Sequence, residues 1–144
     1  MRMRSVDIKA YPKLTHYVKN DLYKLINVPA IVSAMNKTAQ LNRAKLRVAL
    51  SWNSGPIIKV APLVGVYGEF SPNIGSNEIR IEDKMVREFE AGRGKRISRA
   101  GNVYLVGVTL LHELVHWGDD QDGIDRPGEE GAEFERLIYG SVIY

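Results

Sequence analysis

Five consecutive residues, His112-Glu113-Leu114-Val115-His116, follow the order H-E-x-x-H. On a helix, side chains at i and i+4 share one face about a turn apart, so both imidazoles can reach a single metal ion. The spacing predicts His112 and His116 as ligands of Zn2+. Glu113, beside them, is predicted as the base that takes a proton from metal-bound water. The chain has no cysteine, so the donors are nitrogen and oxygen, and a position left to water is the catalytic form of such a site. Zinc lowers the pKa of that water to about 7 and polarises a carbonyl, which is the chemistry of peptide-bond hydrolysis. Two histidines on a helix can also be satisfied core residues. Here the apolar stretch around them could hardly enclose two histidines and a glutamate without a partner.

A third ligand is needed, and the segment PGEEGAEFERLIYG supplies acids. Phe134, Leu137 and Ile138 form an apolar stripe at helical spacing. Projected at about 100° per residue, Glu130 lies nearest its centre, Glu133 and Glu135 flank it, and Glu129 is farthest away. Glu130 is therefore the first candidate, with Glu133 and Glu135 as alternatives, although first-turn acids of a helix also occur simply facing solvent. Gly131 beside it would let this helix approach the central one closely. Asp122 stands six residues after His116, where a longer form of the motif has its third ligand, but Asp119 occupies the glycine position of that pattern. Asp119 and Asp120 are expected to cap the helix end or to orient His116.

Positioning these residues requires a central helix. The run from Asn102 to Trp117 is apolar nearly all round, as in a helix buried within a fold. It closes at Gly118 and the polar DDQDGID, and Pro127 suits the first turn of a last helix reaching about Tyr139. Upstream, Leu14, Tyr17, Val18, Leu22, Leu25 and Ile26 recur at helical spacing, Pro29 breaks the pattern, and a second helix is expected through about Leu41. KLRVALSW and IIKVAPLVGVYGEF read as strands and turns. EIRIE alternates as a strand with Ile79 and Ile81 inward, and is a candidate substrate-binding edge that would pair with an extended peptide. DKMVREFEA reads as a short amphipathic helix burying Met85, Val86 and Phe89. After it comes a Gly-rich loop carrying Arg93, Lys95, Arg96 and Arg99, expected to be solvated and not to bind nucleic acid. Tyr139 or Tyr144 could donate to a developing oxyanion. The class predicted is α+β, with N-terminal helices, a short antiparallel or mixed sheet, a buried central helix with the motif, and a C-terminal helix.

With 144 residues, 44% hydrophobic and 26% charged, one domain over 1–144 is expected. No apolar run long enough to span a membrane or serve as a signal peptide occurs. The net charge of +3 is spread along the chain and points to no particular partner.

At HELVHWGDDQDGID followed by GEEGAEFERLIYG, the sequence resembles the zincin-like metallopeptidase toxin domains at the C-terminal ends of bacterial polymorphic toxins. The resemblance covers about the last forty residues. It implies a zincin-like fold, zinc on His112 and His116, Glu113 as base and a glutamate of the last helix as third ligand. It further implies a toxin or effector acting on a protein or peptide substrate, delivery into a target cell within a larger secreted polypeptide, and a cognate immunity protein. Beside this gluzincin-type endopeptidase stand two alternatives. One is a non-catalytic module with structural zinc, using Asp119 or Asp122 as an extra ligand. The other is a metal-dependent hydrolase of a non-peptide substrate.

Overall fold

The computed structural model describes residues 1–124 and 126–144. The chain opens with β1 (Arg2–Met3), then α1 (Ser5–Ala10) and α2 (Pro12–His16). A π-helical turn (Tyr17–Asp21) and a 3-10 segment (Leu22–Asn27) lead to α3 (Pro29–Ala39). Leu14, Val18, Leu22 and Ile26 are buried, as their spacing predicts, and Pro29 sits in the first turn of α3, where its missing N–H costs nothing. The expected strand at KLRVALSW is instead the helix α4 (Arg43–Leu50). Asn42 Oδ1 accepts from the Lys45 N–H at 2.9 Å and so caps its start. Leu46, Ala49 and Leu50 are buried at helical spacing, so the Asn cap and that periodicity outweigh the single β-branched residue, Val48.

The sheet follows. Strand β2 (Ile57–Ala61) and the two-residue β3 (Gly68–Glu69) precede a turn of helix, α5 (Pro72–Gly75), and β4 (Glu78–Glu82). The four strands lie in the order β1-β2-β4-β3, with β1, β2 and β4 parallel and β3 antiparallel to β4. This is the mixed sheet of an α+β fold. Ile58, Ile79 and Ile81 alternate toward the core, which gives the sheet one buried face. Glu82 caps α6 (Asp83–Glu90) by accepting from the Met85 N–H at 2.8 Å, and Met85, Val86 and Phe89 are buried as expected.

The basic stretch is not a free loop. It forms a hairpin of β5 (Lys95–Ser98) and β6 (Gly101–Tyr104), and three of its cations are engaged. Arg96 donates to the Tyr144 carbonyl at 2.6 Å and Arg99 to the Leu137 carbonyl at 2.9 Å, while Lys95 lies 5.3 Å from the centre of the Tyr104 ring. Because β6 takes up Asn102 to Tyr104, the central helix α7 begins only at Leu105 and runs to Asp120. It is buried nearly all round: the sheet and α6 cover part of it, and α3 and α8 (Glu130–Tyr139) the rest. Two glycines permit this. A Cβ at position 107 would collide with the Tyr17 phenol, and one at 118 would meet Leu41 and the Ala39 carbonyl. The Trp117 indole donates to Asn77 Oδ1 at 3.1 Å, tying the far half of α7 to the turn before β4. Buried apolar residues from every layer join in one cluster around α7.

Candidate metal centre and active site

On α7, His112 and His116 project side by side, with Nε2 to Nε2 at 3.3 Å. The helical rise between i and i+4 places both rings over the same opening. Into it reaches one carboxylate oxygen of Glu129, 2.8 Å from His116 Nε2 and 3.5 Å from His112 Nε2. Of all described residues, only these three form a group with one donor atom each lying within 4.8 Å of one another.

The other glutamates of the segment are placed differently. Glu135 Oε1 meets His112 Nδ1 at 2.5 Å, so this carboxylate holds the ring from behind. Glu130 Oε2 lies 3.8 Å from His116 Nδ1, also on the side away from the shared opening. Glu133 points outward, with its side chain half exposed and 3.3 Å from Lys37 Nζ. Helical projection ranked Glu129 last because it extended the helix back to Pro127. In the structure Glu129 precedes α8 at φ −116° and ψ 86°, so its side chain does not follow helical phase. The buried face of α8 is also rotated from the expected stripe. Gly131, Ala132, Phe134 and Glu135 turn inward, whereas Leu137 is 39% exposed. Gly131 gives the close approach expected of it: a Cβ there would run into the His112 imidazole.

Glu113 is buried between α7 and the sheet edge. Burial pushes its carboxyl up to about 7; Glu129 and Glu69 add to the rise, while His112 and a hydrogen bond from the Phe70 N–H oppose it. Gly68 is pressed against it, and a Cβ there would meet Thr109 Cγ2 at 2.7 Å and Glu113 Cγ at 2.8 Å. Strand β3 can therefore lie this close to Glu113 only with glycine at 68. Sequence reading did not single out Glu129, Gly68 or Phe70. The Val-Tyr-Gly-Glu-Phe run was their one signal on the sheet side, since a glycine inside a strand marks close backbone approach.

Strand β4 is interior, paired to β2 on one side and β3 on the other, and Ile79 and Ile81 are fully buried. The substrate edge expected at Ile79 and Ile81 is not where the sheet ends: β3 pairs with Arg80 and Ile81 of β4, and the Ile79 and Ile81 side chains are buried in the core. The edge of the sheet beside the histidines is β3. Asp119 and Asp122 both bind Arg126, at 2.6 Å and 2.5 Å, so neither orients His116 nor joins the histidine group. Tyr139 is buried against Phe134, and burial raises its phenol further above the ordinary range. Tyr144 is largely exposed, with its carbonyl held by Arg96.

Comparison with family models matches residues 7–140 to metallopeptidase toxin 3. The chain belongs to this family. No match was found among curated proteins or among solved structures. The match takes in β2 to β4 and the helices from α2 onward as well as the motif, which extends the resemblance well beyond the last forty residues. Membership implies a metal ion, and the residues fit one. Two imidazole nitrogens and a carboxylate oxygen converge, a nitrogen and oxygen donor set that suits a divalent transition metal. Burial works against a charged His112, yet its pKa is raised, because the Glu135 hydrogen bond and the charges of Glu113, Glu135 and Glu129 outweigh that burial. The pocket is thus electrostatically prepared for a cation. A cleft lined by His112, Glu113, His116, Glu129, Glu69 and Phe70 opens onto this group. No helix among the described residues is long and apolar enough to cross a membrane.

Proposed function

We propose that this metallopeptidase toxin is a zinc-dependent endopeptidase of the gluzincin type, with His112, His116 and Glu129 as metal ligands and Glu113 as general base. The observation that carries this reading is the convergence of the Glu129 carboxylate on the Nε2 atoms of the two motif histidines. A bound zinc ion would supply acidified water and a polarised carbonyl. Glu113 takes a proton from water on its carboxylate and returns it to the leaving amine nitrogen, so that the C–N bond breaks without expelling an amide anion. Its pKa near 7 suits both halves of that task. Glu135 accepts from His112 Nδ1–H, which directs the Nε2 lone pair to the shared opening. The unpaired side of β3 at Gly68 and Glu69 offers backbone groups to an extended peptide beside Glu113.

The substrate is a protein of the recipient cell, and a cognate immunity protein restrains the toxin before delivery. The family supports both statements. Three donors, a base and an open cleft favour a catalytic over a purely structural site, which would close around a fourth protein ligand.

Metal content of the purified protein tests the ligand set. Wild type is expected to hold about one zinc per chain, with loss in His116→Ala and Glu129→Ala and retention in Glu133→Ala. Glu113→Gln should keep its zinc and lose at least about 10³-fold in peptide hydrolysis. Metal loss in Glu130→Ala with retention in Glu129→Ala would reassign the third ligand, and proteolysis surviving Glu113→Gln would overturn the mechanism.

A further inference from the structure

Of the three residues whose donor atoms converge, Glu129 alone lies outside a helix. On its C-terminal side it is fixed by α8, since its carbonyl accepts from the Glu133 N–H at 3.0 Å. On its N-terminal side lies the connection from α7, which contains Gly123 at φ +71° and Gly128 at φ +126°. Glycines in such conformations leave a connection many shapes to adopt, so the direction in which Glu129 points must be set by a side chain that ties the connection down.

Arg126 makes that tie. Its Nη1 donates to Asp119 Oδ1 at 2.6 Å and its Nη2 to Asp122 Oδ2 at 2.5 Å, so the two arms of the guanidinium grip two carboxylates. Nη1 also reaches the Ile124 carbonyl at 3.3 Å, and Asp122 Oδ1 accepts from the Ile124 N–H at 2.9 Å. Asp119 is the fixed end of this clamp. It is buried in the last turn of α7, three residues after His116. That turn is held in place by Gly118, seated against Leu41 and the Ala39 carbonyl, and by the Trp117 indole bonded to Asn77. Arg126 thus fastens the connection to the helix that carries both histidines. Glu129 follows three residues later, and three residues span at most about 11 Å, so the clamp limits where the Glu129 carboxylate can lie. Asp119 lines the same cleft as the histidines, and its pairing with Arg126 keeps it from competing with Glu129 for a cation.

We propose that Arg126 is a positioning residue for the metal centre: by clamping the α7–α8 connection to Asp119 and Asp122, it presents the Glu129 carboxylate to His112 and His116. This rests on the reading of Glu129 as a metal ligand. Lysine cannot take its place fully, because a single ammonium does not reproduce the two-armed grip.

The test is a double-mutant cycle read as zinc affinity, by competition with a chromophoric chelator, over wild type, Arg126→Ala, Glu129→Ala and the variant carrying both changes. Each protein is checked for folding by its melting curve. Arg126→Ala should weaken zinc binding roughly 10–100-fold when Glu129 is present. It should change affinity by no more than about twofold when Glu129 is already alanine, since the clamp then has no carboxylate to present. Arg126→Lys should recover only part of the loss. Because Arg126→Ala leaves the buried Asp119 unpaired, the cycle is repeated with Asp122→Asn, which loosens the clamp from its more exposed end and should weaken zinc in the same Glu129-dependent manner, by a smaller factor. An equal loss with and without Glu129 would show that Arg126 only stabilises the end of α7. Unchanged affinity in both Arg126→Ala and Asp122→Asn would show that Glu129 is held without the clamp. Either outcome overturns this proposal and leaves the peptidase reading standing. If wild type binds no zinc, or Glu129→Ala binds it as tightly as wild type, the ligand assignment falls and the clamp's role falls with it.

Discussion

Glu113 carries a stability cost that the role of general base proposed for it would explain. Its carboxyl ionises at about 7 in the folded chain against 4.5 as the ordinary value, because burial disfavours the charged form. A carboxyl raised in this way leaves full stability below about 4.5 and costs stability as pH rises through 7, where the folded chain must hold a desolvated anion. Glutamine never ionises, so Glu113→Gln should stabilise the metal-free protein at pH 8 by roughly 2–3 kcal/mol relative to wild type, and by little at pH 4. Urea unfolding of both proteins without metal at the two pH values checks this. A pH-independent difference would mean that the carboxyl is not raised in the folded chain. The same residue would then stabilise when mutated and abolish turnover, the usual exchange between stability and activity at a site.

At the scale of elements, the metal centre depends on how closely α8 lies against α7. Gly131 faces the His112 imidazole with no room for a methyl group, two residues after Glu129 and four before Glu135. Gly131→Ala must displace α8 or rotate the ring, and either change moves both glutamates relative to the histidines. Overpacking of this kind costs about 1–3 kcal/mol. The larger effect should be on the metal: zinc affinity is expected to fall roughly 10–100-fold, as when a ligand loses its orienting partner. Competition with a chromophoric chelator measures it. Ala132→Gly, on the same helix, gives the comparison, since it lowers helix propensity without touching His112. Equal zinc affinity in the two variants would show that the approach of the helices is not what sets the site.

For the whole molecule, the three donors come from α7 and from the residue just before α8, so a bound metal cross-links the centre of the fold to its last helix. A ligand that binds only the folded chain stabilises it by mass action, about 2.7 kcal/mol at a hundredfold excess over Kd. For a chain of this size that corresponds to a rise of roughly 5–10 °C in Tm. Zinc should produce this shift in wild type and in Glu113→Gln, and not in His116→Ala, as read by calorimetry. A shift of equal size in His116→Ala would place the metal elsewhere on the chain.

The sequence by itself determined that His112, Glu113 and His116 stand together, because their relation is local: three side chains on one helix are placed by the helical repeat alone. It also determined the α+β class, the amphipathic α6, the alternation of β4 and the buried character of α7, each a matter of local periodicity. Only the tertiary structure decided which glutamate meets the histidines. Glu129 lies outside the helix, where no periodicity constrains its side chain, and its approach depends on Gly131 docking against His112. The same holds for Glu135, whose burial is tolerated because His112 and the Ile143 N–H satisfy its two oxygens. That β3 rather than β4 is the sheet edge was likewise a long-range fact. Strand order comes from pairing between segments far apart in sequence, and alternation within Glu78–Glu82 reports which face is buried but not which neighbours lie on either side.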